Sequence, residues 1–367
     1  MTVITTHLDY NTARHEVVDG VEIYRLPCLR VPKTPLTLSF PWVNLTFTPA
    51  NQQRIQRIVR QHRPDVLHLH NHIFDLGLSA SRISKRLHIP MVLTIHTVLK
   101  HPNPVLNVFL SCADRLLIRP GVVARASAIL CPDLNIQTYV ADAYRRPNEP
   151  IVPYGVEETG PAAPALVSHY REKHGLEGKH VILSLGHVHA MRNRRDLVEA
   201  MPLVLRRLPS AVLLIVGEVA TKTTGELARK LGVESSVVFA GAVPHVHVSA
   251  LLELADLEAH WLDQEIPEKT SLGIASLEAM AAGKTVLSAA NPNTYGEGTL
   301  RNGENLFIVE RGRPRELADT IVKLLEDPAR RQAIGDNARR TIRESFSWDA
   351  VCLRTIEVYA QAVRGGR

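Results

Sequence analysis

The feature that most constrains this chain is an alternation, run through twice, of short β-branched apolar stretches with longer segments of helical periodicity. In the first half the apolar runs cover residues 2–6, 65–70, 90–96, 128–131 and 151–152, and helical patterns fill residues 49–62 and 78–87. Such strand, helix, strand repetition predicts a parallel sheet wrapped by helices. The pattern pauses at residues 157–164, a Gly, Pro and Ala-rich stretch without periodicity, and then restarts. A pause of that composition predicts a domain boundary.

In the second half, strands are expected at residues 180–185, 211–216, 237–239, 257–261 and 285–288, and helices at 194–208, 225–231, 248–254 and 273–282. Amphipathic helices follow at 314–325 and 328–344, with a closing one at 348–363. The expected class is therefore α/β, with two Rossmann-like, doubly wound domains. Their expected extents are residues 1–157 and 158–345, and residues 346–367 pack back toward the first domain. Two such units face to face would place a ligand crevice between the carboxyl ends of their strands.

A length of 367 residues suits two domains, because one core usually stops growing before that size. The formal charge of +6 is uneven: residues 1–150 hold 17 Lys and Arg against 10 Asp and Glu, and the remainder is nearly balanced. No Lys/Arg cluster is interleaved with aromatics, so a phosphate-bearing small molecule is favoured over nucleic acid. Cys28, Cys112, Cys131 and Cys352 are scattered without a CxxC pair, which suggests neither a zinc site nor a disulfide framework. No apolar run approaches the roughly 20 residues that span a bilayer, and no basic-then-apolar leader pattern opens the chain. A cytoplasmic setting is expected, and the Asn44-Leu45-Thr46 sequon carries no weight in it.

Chemistry becomes specific at Leu272-Gly273-Ile274-Ala275-Ser276-Leu277-Glu278-Ala279-Met280-Ala281-Ala282-Gly283. A Gly lets backbone approach a diphosphate, a helix begins beside it with free N–H groups, and a Glu follows one turn later. This run resembles the donor-site signature of glycosyltransferase family 4. Ser184-Leu185-Gly186 followed by Arg192, then Ile215-Val216-Gly217-Glu218, then Phe239-Ala240-Gly241-Ala242-Val243-Pro244 continue the likeness in order, as do Asn302-Gly303-Glu304-Asn305 and Phe346-Ser347-Trp348. In the first half it is carried by Arg63-Pro64-Asp65-Val66-Leu67-His68-Leu69-His70, by Thr94-Ile95-His96-Thr97, and by Ile151-Val152-Pro153-Tyr154-Gly155-Val156.

The resemblance implies a GT-B architecture and a retaining transfer of sugar from a nucleoside diphosphate to an acceptor hydroxyl. It implies no cofactor and no bound metal. By it, His96 lies near the transferred sugar, and Gly186, His187 and Arg192 lie on the diphosphate, with Arg192 in place of the family's Lys. Ser271, Leu272, Gly273 and Ile274 supply backbone contacts, Glu278 holds the ribose, and Glu218 and Val243 complete the donor side. The expected acceptor is a sugar, a lipid-linked compound or a small molecule.

Three departures stand out. The family has a Glu eight residues before Glu278, where this chain has Thr270; that implies altered donor recognition, the favoured reading, or a slower enzyme, or rescue by Glu268 or Glu265. His187 replaces a family Arg, exchanging a permanent charge for one that depends on pH. The opening Met1-Thr2-Val3-Ile4-Thr5-Thr6-His7 resembles the family's second strand, so about thirty residues that include a central strand are expected to be absent, leaving neighbouring strand edges unpaired. These departures favour a rival reading, a non-catalytic protein that binds a nucleotide sugar or a partner. A metal-dependent or phosphorolytic enzyme finds no matching cluster.

Other features have two readings. His68, His70 and His72 would face one side of a continuous strand and could hold zinc; if the strand ends near His70, they line a cleft or satisfy backbone groups. Residues 35–48, with Phe40, Trp42 and Phe47, form either a packed connection or an apolar loop that touches a membrane or covers the acceptor.

Overall fold

The computed structural model describes residues 1–32, 42–101, 103–158, 160–188, 194–259 and 271–365. The chain separates into two units, one of Met1–Pro132, Ile136–Ile151 and Arg354–Arg367, the other of Asp133–Asn135 and Val152–Leu353.

The first unit opens with β1 (Thr2–Thr6), β2 (His15–Val18) and β3 (Val21–Leu26). β1 runs parallel to β3, and β2 pairs antiparallel with β3. Asp19 and Gly20 join β2 to β3 with φ of 49° and 78°, left-handed values that suit a two-residue hairpin turn. β4 (Leu29–Pro32) and β5 (Trp42–Leu45) form a separate antiparallel pair. Next come α1 (Pro49–His62), β6 (Leu67–His70), α2 (Asp75–Leu87), β7 (Met91–Thr94), α3 (Pro104–Ala113), a π-helical segment Asp114–Ile118, α4 (Arg119–Gly121), β8 (Ala128–Leu130) and α5 (Leu134–Tyr144). The capping agrees with the chemistry: the Thr48 side chain accepts from the Asn51 N–H at the start of α1, where Pro49 takes the first turn.

β6, β7 and β8 make a three-stranded parallel sheet in that order. All four residues of β7 are buried, as expected for its middle strand. β1 and β6 are each an edge of their sheets, and most of their residues are only half-buried. Even so, Ile4 of β1 and Leu67 of β6 pack against one apolar cluster with Ile55, Val59 and Ile83 of α1 and α2. Residues 151–152, expected as a strand, contribute only a bridge between Ile151 and Cys131.

The second unit begins with α6 (Pro164–Lys173) and continues through β9 (His180–Leu185), α7 (Arg195–Arg207), β10 (Ala211–Val216), α8 (Thr223–Lys230), β11 (Val237–Gly241), α9 (Val248–Leu254), β12 (Leu257–Ala259), α10 (Ile274–Ala281), β13 (Thr285–Ser288) and β14 (Phe307–Ile308). α11 (Pro314–Glu326), α12 (Pro328–Ser345) and α13 (Trp348–Gly365) close the chain. The sheet is parallel throughout, in the order β11-β10-β9-β12-β13-β14. That order reverses direction between β9 and β12, which makes their carboxyl ends the topological switch point where such sheets bind ligands. Strands in this sheet are mostly apolar, β10 continuously so, because both faces are covered by two large clusters of buried side chains.

Candidate functional site

Gly186 follows β9 and Gly217 follows β10, and the two meet. Gly186 donates its N–H to the Val216 carbonyl at 2.8 Å, and Val188 donates to the Glu218 carbonyl at 2.8 Å. Gly217 has φ 142°, and a Cβ on it would collide with the Gly186 carbonyl. No larger residue fits there without pushing the Gly186-His187 turn outward. His187 Nδ1 lies 3.7 Å from Glu218 Oε2, and both side chains stand in solvent. The expected donor residues Gly186, His187 and Glu218 therefore cluster at the mouth of β9.

Beneath that turn sits the guanidinium of Arg194, which the run Arg192, Arg194 and Arg195 at a helix start predicts to be solvated or to face an anionic partner, and which is buried instead. Arg194 is fully buried and has left-handed φ 58° just before α7. It donates to the carbonyls of His187 at 2.7 Å, Gly186 at 2.8 Å and Leu185 at 3.2 Å, and to the Ser184 hydroxyl at 3.2 Å. Glu258, on the neighbouring strand β12, is also fully buried. The Ser276 hydroxyl of α10 donates to Glu258 Oε2 at 3.0 Å, while Oε1 has no hydrogen-bond partner. Burial pushes the Glu258 carboxyl up to about 8, against the opposing pull of Ser276 and of the Arg194 charge. The switch point thus rests on a buried polar network that ties β9, β12 and α10 together. A single Arg in a basic stretch carries no sequence signal of burial, and an isolated Glu inside a strand was the only hint.

On the other side of the switch point, Gly273 caps α10 with extended φ −70°, ψ 155°. The first amides of α10 have no partner within the helix, so they present the positive end of its dipole. Ile274 is half-exposed at the first position, and Glu278, four residues on, shares its face. Leu272 is buried, and its carbonyl accepts from the Tyr295 hydroxyl at 3.2 Å, which anchors the strand-to-helix turn with Ser271 next to it. His245 Nε2 reaches Glu278 Oε1 at 2.8 Å. His245 follows Val243 and Pro244 after β11, and Val243 packs on the larger apolar cluster. No local pattern tied His245 to Glu278, because the two lie 33 residues apart on separate elements. Arg192, Thr270, Glu265 and Glu268 lie outside the described residues.

In the first unit, β6 ends at His70 and Asn71 takes φ 70°, so the strand does not continue to His72. The His68 and His70 rings are tilted by 35° with centres 4.3 Å apart, and the His70 ring stacks on that of His96. His70 Nδ1 meets His96 Nε2 at 3.1 Å, two residues beyond β7. His68 is held by the Tyr359 hydroxyl at 2.6 Å and the Thr94 hydroxyl at 2.7 Å. Burial lowers the pKa of His70 and of His96, and that of His68 to about 3. Neutral imidazoles, one donating to another, are the state consistent with these contacts. His72 turns inward, buried beside the rings of Tyr139 and Tyr144, with neither ring nitrogen partnered. Among the described residues no group of three or more His, Cys, Asp or Glu is arranged to hold a metal ion.

The sequence matches the family described as "Glycosyl transferase 4-like domain" over residues 1–155 and that described as "Glycosyl transferases group 1" over residues 168–341. It is 26% identical over 325 residues to the putative glycosyltransferase EpsD of Bacillus subtilis, covering 85% of this chain and 81% of that protein. It is 23% identical over 278 residues to the alpha-monoglucosyldiacylglycerol synthase of Streptococcus pneumoniae, covering 72% of this chain and 60% of that protein. In fold it is similar to Anabaena HepE, solved in complex with UDP and glucose, with a TM-score of 0.66 at 20% identity over 93% of this chain and 86% of that one. Matched in both halves, the chain belongs to the group 1 glycosyltransferases of family 4, with the GT-B fold.

Proposed function

We propose that the chain is a retaining, metal-independent glycosyltransferase that moves a sugar from a nucleoside diphosphate to an acceptor hydroxyl. The observation that carries this reading is the convergence of the Gly186-His187 turn, the amino end of α10 and the Glu278 carboxylate around the β9/β12 switch point. In this reading the backbone amides at Gly273 and Ile274, with Ser271 and Leu272 shaping the turn, take the diphosphate together with Arg192 and His187. Glu278 accepts from the ribose hydroxyls and is oriented by His245, and Glu218 and Val243 border the nucleotide. Thr270 stands where a carboxylate would contact the sugar. His96, oriented by His70, presents a neutral imidazole to the transferred sugar.

As the bond between the anomeric carbon and the phosphate oxygen breaks, negative charge grows on the departing diphosphate, and preorganised amides and cations stabilise that charge. The acceptor oxygen bonds to the anomeric carbon on the face that the diphosphate leaves, and its proton passes to the departing phosphate oxygen. No metal is needed if those groups neutralise the leaving charge. The acceptor is a sugar, a lipid-linked compound or a small molecule, and the enzyme works in the cytoplasm with peripheral membrane contact. The S. pneumoniae relative, named for a diacylglycerol product, supports a lipid-linked acceptor.

Thermal shift with UDP, GDP and ADP in the presence of a chelator tests the donor site. One nucleotide at about 100 times its Kd should stabilise the chain by roughly 2.7 kcal/mol. Glu278→Ala should weaken its binding by about tenfold, the loss of one charge-assisted hydrogen bond. No shift for any nucleotide, or equal affinity in the variant, would sink this placement. Proton NMR of the product then reads the anomeric configuration, and a bound but unconsumed nucleotide sugar would favour the non-catalytic reading.

A further inference from the structure

The rod formed by α3, the π-helical segment and α4 spans Pro104 to Gly121, and its solvent side is apolar. Val105, Val108, Phe109, Leu116 and Leu117 are 77%, 63%, 57%, 71% and 60% exposed, and Cys112 is exposed among them. From Val105 to Leu116 the spacing follows one face of a helix. The inner side is accounted for, since Leu106 and Leu110 are half-buried and Ile118 packs on the core around Val122 and Val123. Nor is the rod a frayed end. Asn103 caps it by accepting from the Val105 and Leu106 amides, and Pro104 fills its first position. An apolar stripe of this size left in water marks an interaction surface.

Charge selects the occupant. Between Leu99 and Arg125 the chain carries Lys100, Arg115, Arg119 and Arg125 against a single acid, Asp114. The Asp114 carboxylate accepts from the Tyr144 hydroxyl at 2.9 Å. Lys100, Arg115 and Arg125 are exposed. A second copy docked on this stripe would set cation-flanked face against cation-flanked face, with no exposed acid to pair them. No described helix is long and apolar enough to cross a membrane, but an apolar stripe flanked by Lys and Arg suits one that lies in the interface.

We infer that the outer face of α3 and its π-helical extension docks on an anionic phospholipid bilayer, with Phe109 and Leu116 in the acyl boundary and Lys100 and Arg115 at the headgroups. This deepens the peripheral contact proposed above and places it on this helix; residues 35–48, which the sequence offered as a packed connection or a membrane-touching loop, lie in part (35–41) outside the described residues. The surface serves a lipid-linked acceptor, which it would present to the enzyme from the bilayer.

Co-sedimentation of the full chain with phosphatidylcholine vesicles, and with vesicles that also contain phosphatidylglycerol, tests it without donor or acceptor. Binding to the mixed vesicles should exceed binding to phosphatidylcholine by about tenfold or more, since each interfacial cation is worth roughly fivefold. The pair Phe109→Ser and Leu116→Ser should lose about tenfold, and Lys100→Glu with Arg115→Glu should abolish the preference for anionic lipid. All four positions are solvent-exposed, so melting temperature and nucleotide-induced thermal shift should stay at wild-type values. Their retention separates failure here from failure of the transferase reading. The inference is overturned if the wild type binds neither vesicle, if the serine variant binds equally well, or if the wild type forms a dimer in gel filtration that the serine substitutions abolish.

Discussion

At the scale of single residues, the least ordinary pair is Arg194 and Glu258. Burying a guanidinium is tolerated only when its donors are satisfied, and here three carbonyls and a hydroxyl satisfy them. The same bonds hold the Gly186-His187 turn. Arg194→Met should therefore cost about 3–5 kcal/mol in urea denaturation by orphaning those carbonyls. Glu258 behaves differently. Folded, it keeps its proton up to about pH 8, whereas unfolded it releases it near 4.5, so stability falls as pH rises from 4.5 through 8. Glu258→Gln mimics the protonated acid, and the variant should match the wild type at pH 5 and exceed it at pH 8.5. If the two chains keep the same stability difference at both pH values, the buried-acid assignment fails.

Among elements, α12 depends on one glycine. Gly335 packs so closely on the turn after α10 that a Cβ there would strike the Gly283 carbonyl. Gly335→Ala gains helix propensity but must separate α12 from that turn, and a net loss of about 1–3 kcal/mol is expected from chemical denaturation. A neutral or stabilising result would mean that the contact relaxes freely. Several elements were legible beforehand: residues 2–6, 49–62, 180–185, 211–216, 248–254 and 285–288 were expected with the bounds the structure gives. Compact apolar runs such as 180–185 and 211–216, and for 49–62 a capping Thr48 with Pro49 at the first turn, explain that. β2 and β3 were not expected although Asp19-Gly20 is a hairpin signal, because an antiparallel hairpin lies outside the strand, helix, strand alternation that dominates the chain. α3 was missed because a helix apolar on both sides has no amphipathic period to detect.

For the whole molecule, acid sensitivity follows from the buried histidines. His68 and His72 have pKa values lowered by burial to about 3 and about 4, while in the unfolded chain they take up protons near 6.5. Protonation thus favours the unfolded state, and their stability contribution, complete above pH 6.5, is lost as pH falls through 4 and 3. His72 has no ring partner, so His72→Leu should leave stability at pH 7 unchanged or raised and make the decline between pH 6.5 and 4 shallower by one proton. An identical pH slope in the variant would show that His72 titrates normally.

The sequence alone determined the α/β class, the two-domain expectation and the run from Gly273 to Glu278, because strand and helix periods, glycines and a helix start are local properties. Only the tertiary structure decided which side chains meet. It set His245 on Glu278, Arg194 under the Gly186 turn, Glu258 at the switch point, His70 on His96 and His72 in the core. Each of these contacts joins residues on separate elements, and their pairing depends on strand order and register, which no local pattern encodes.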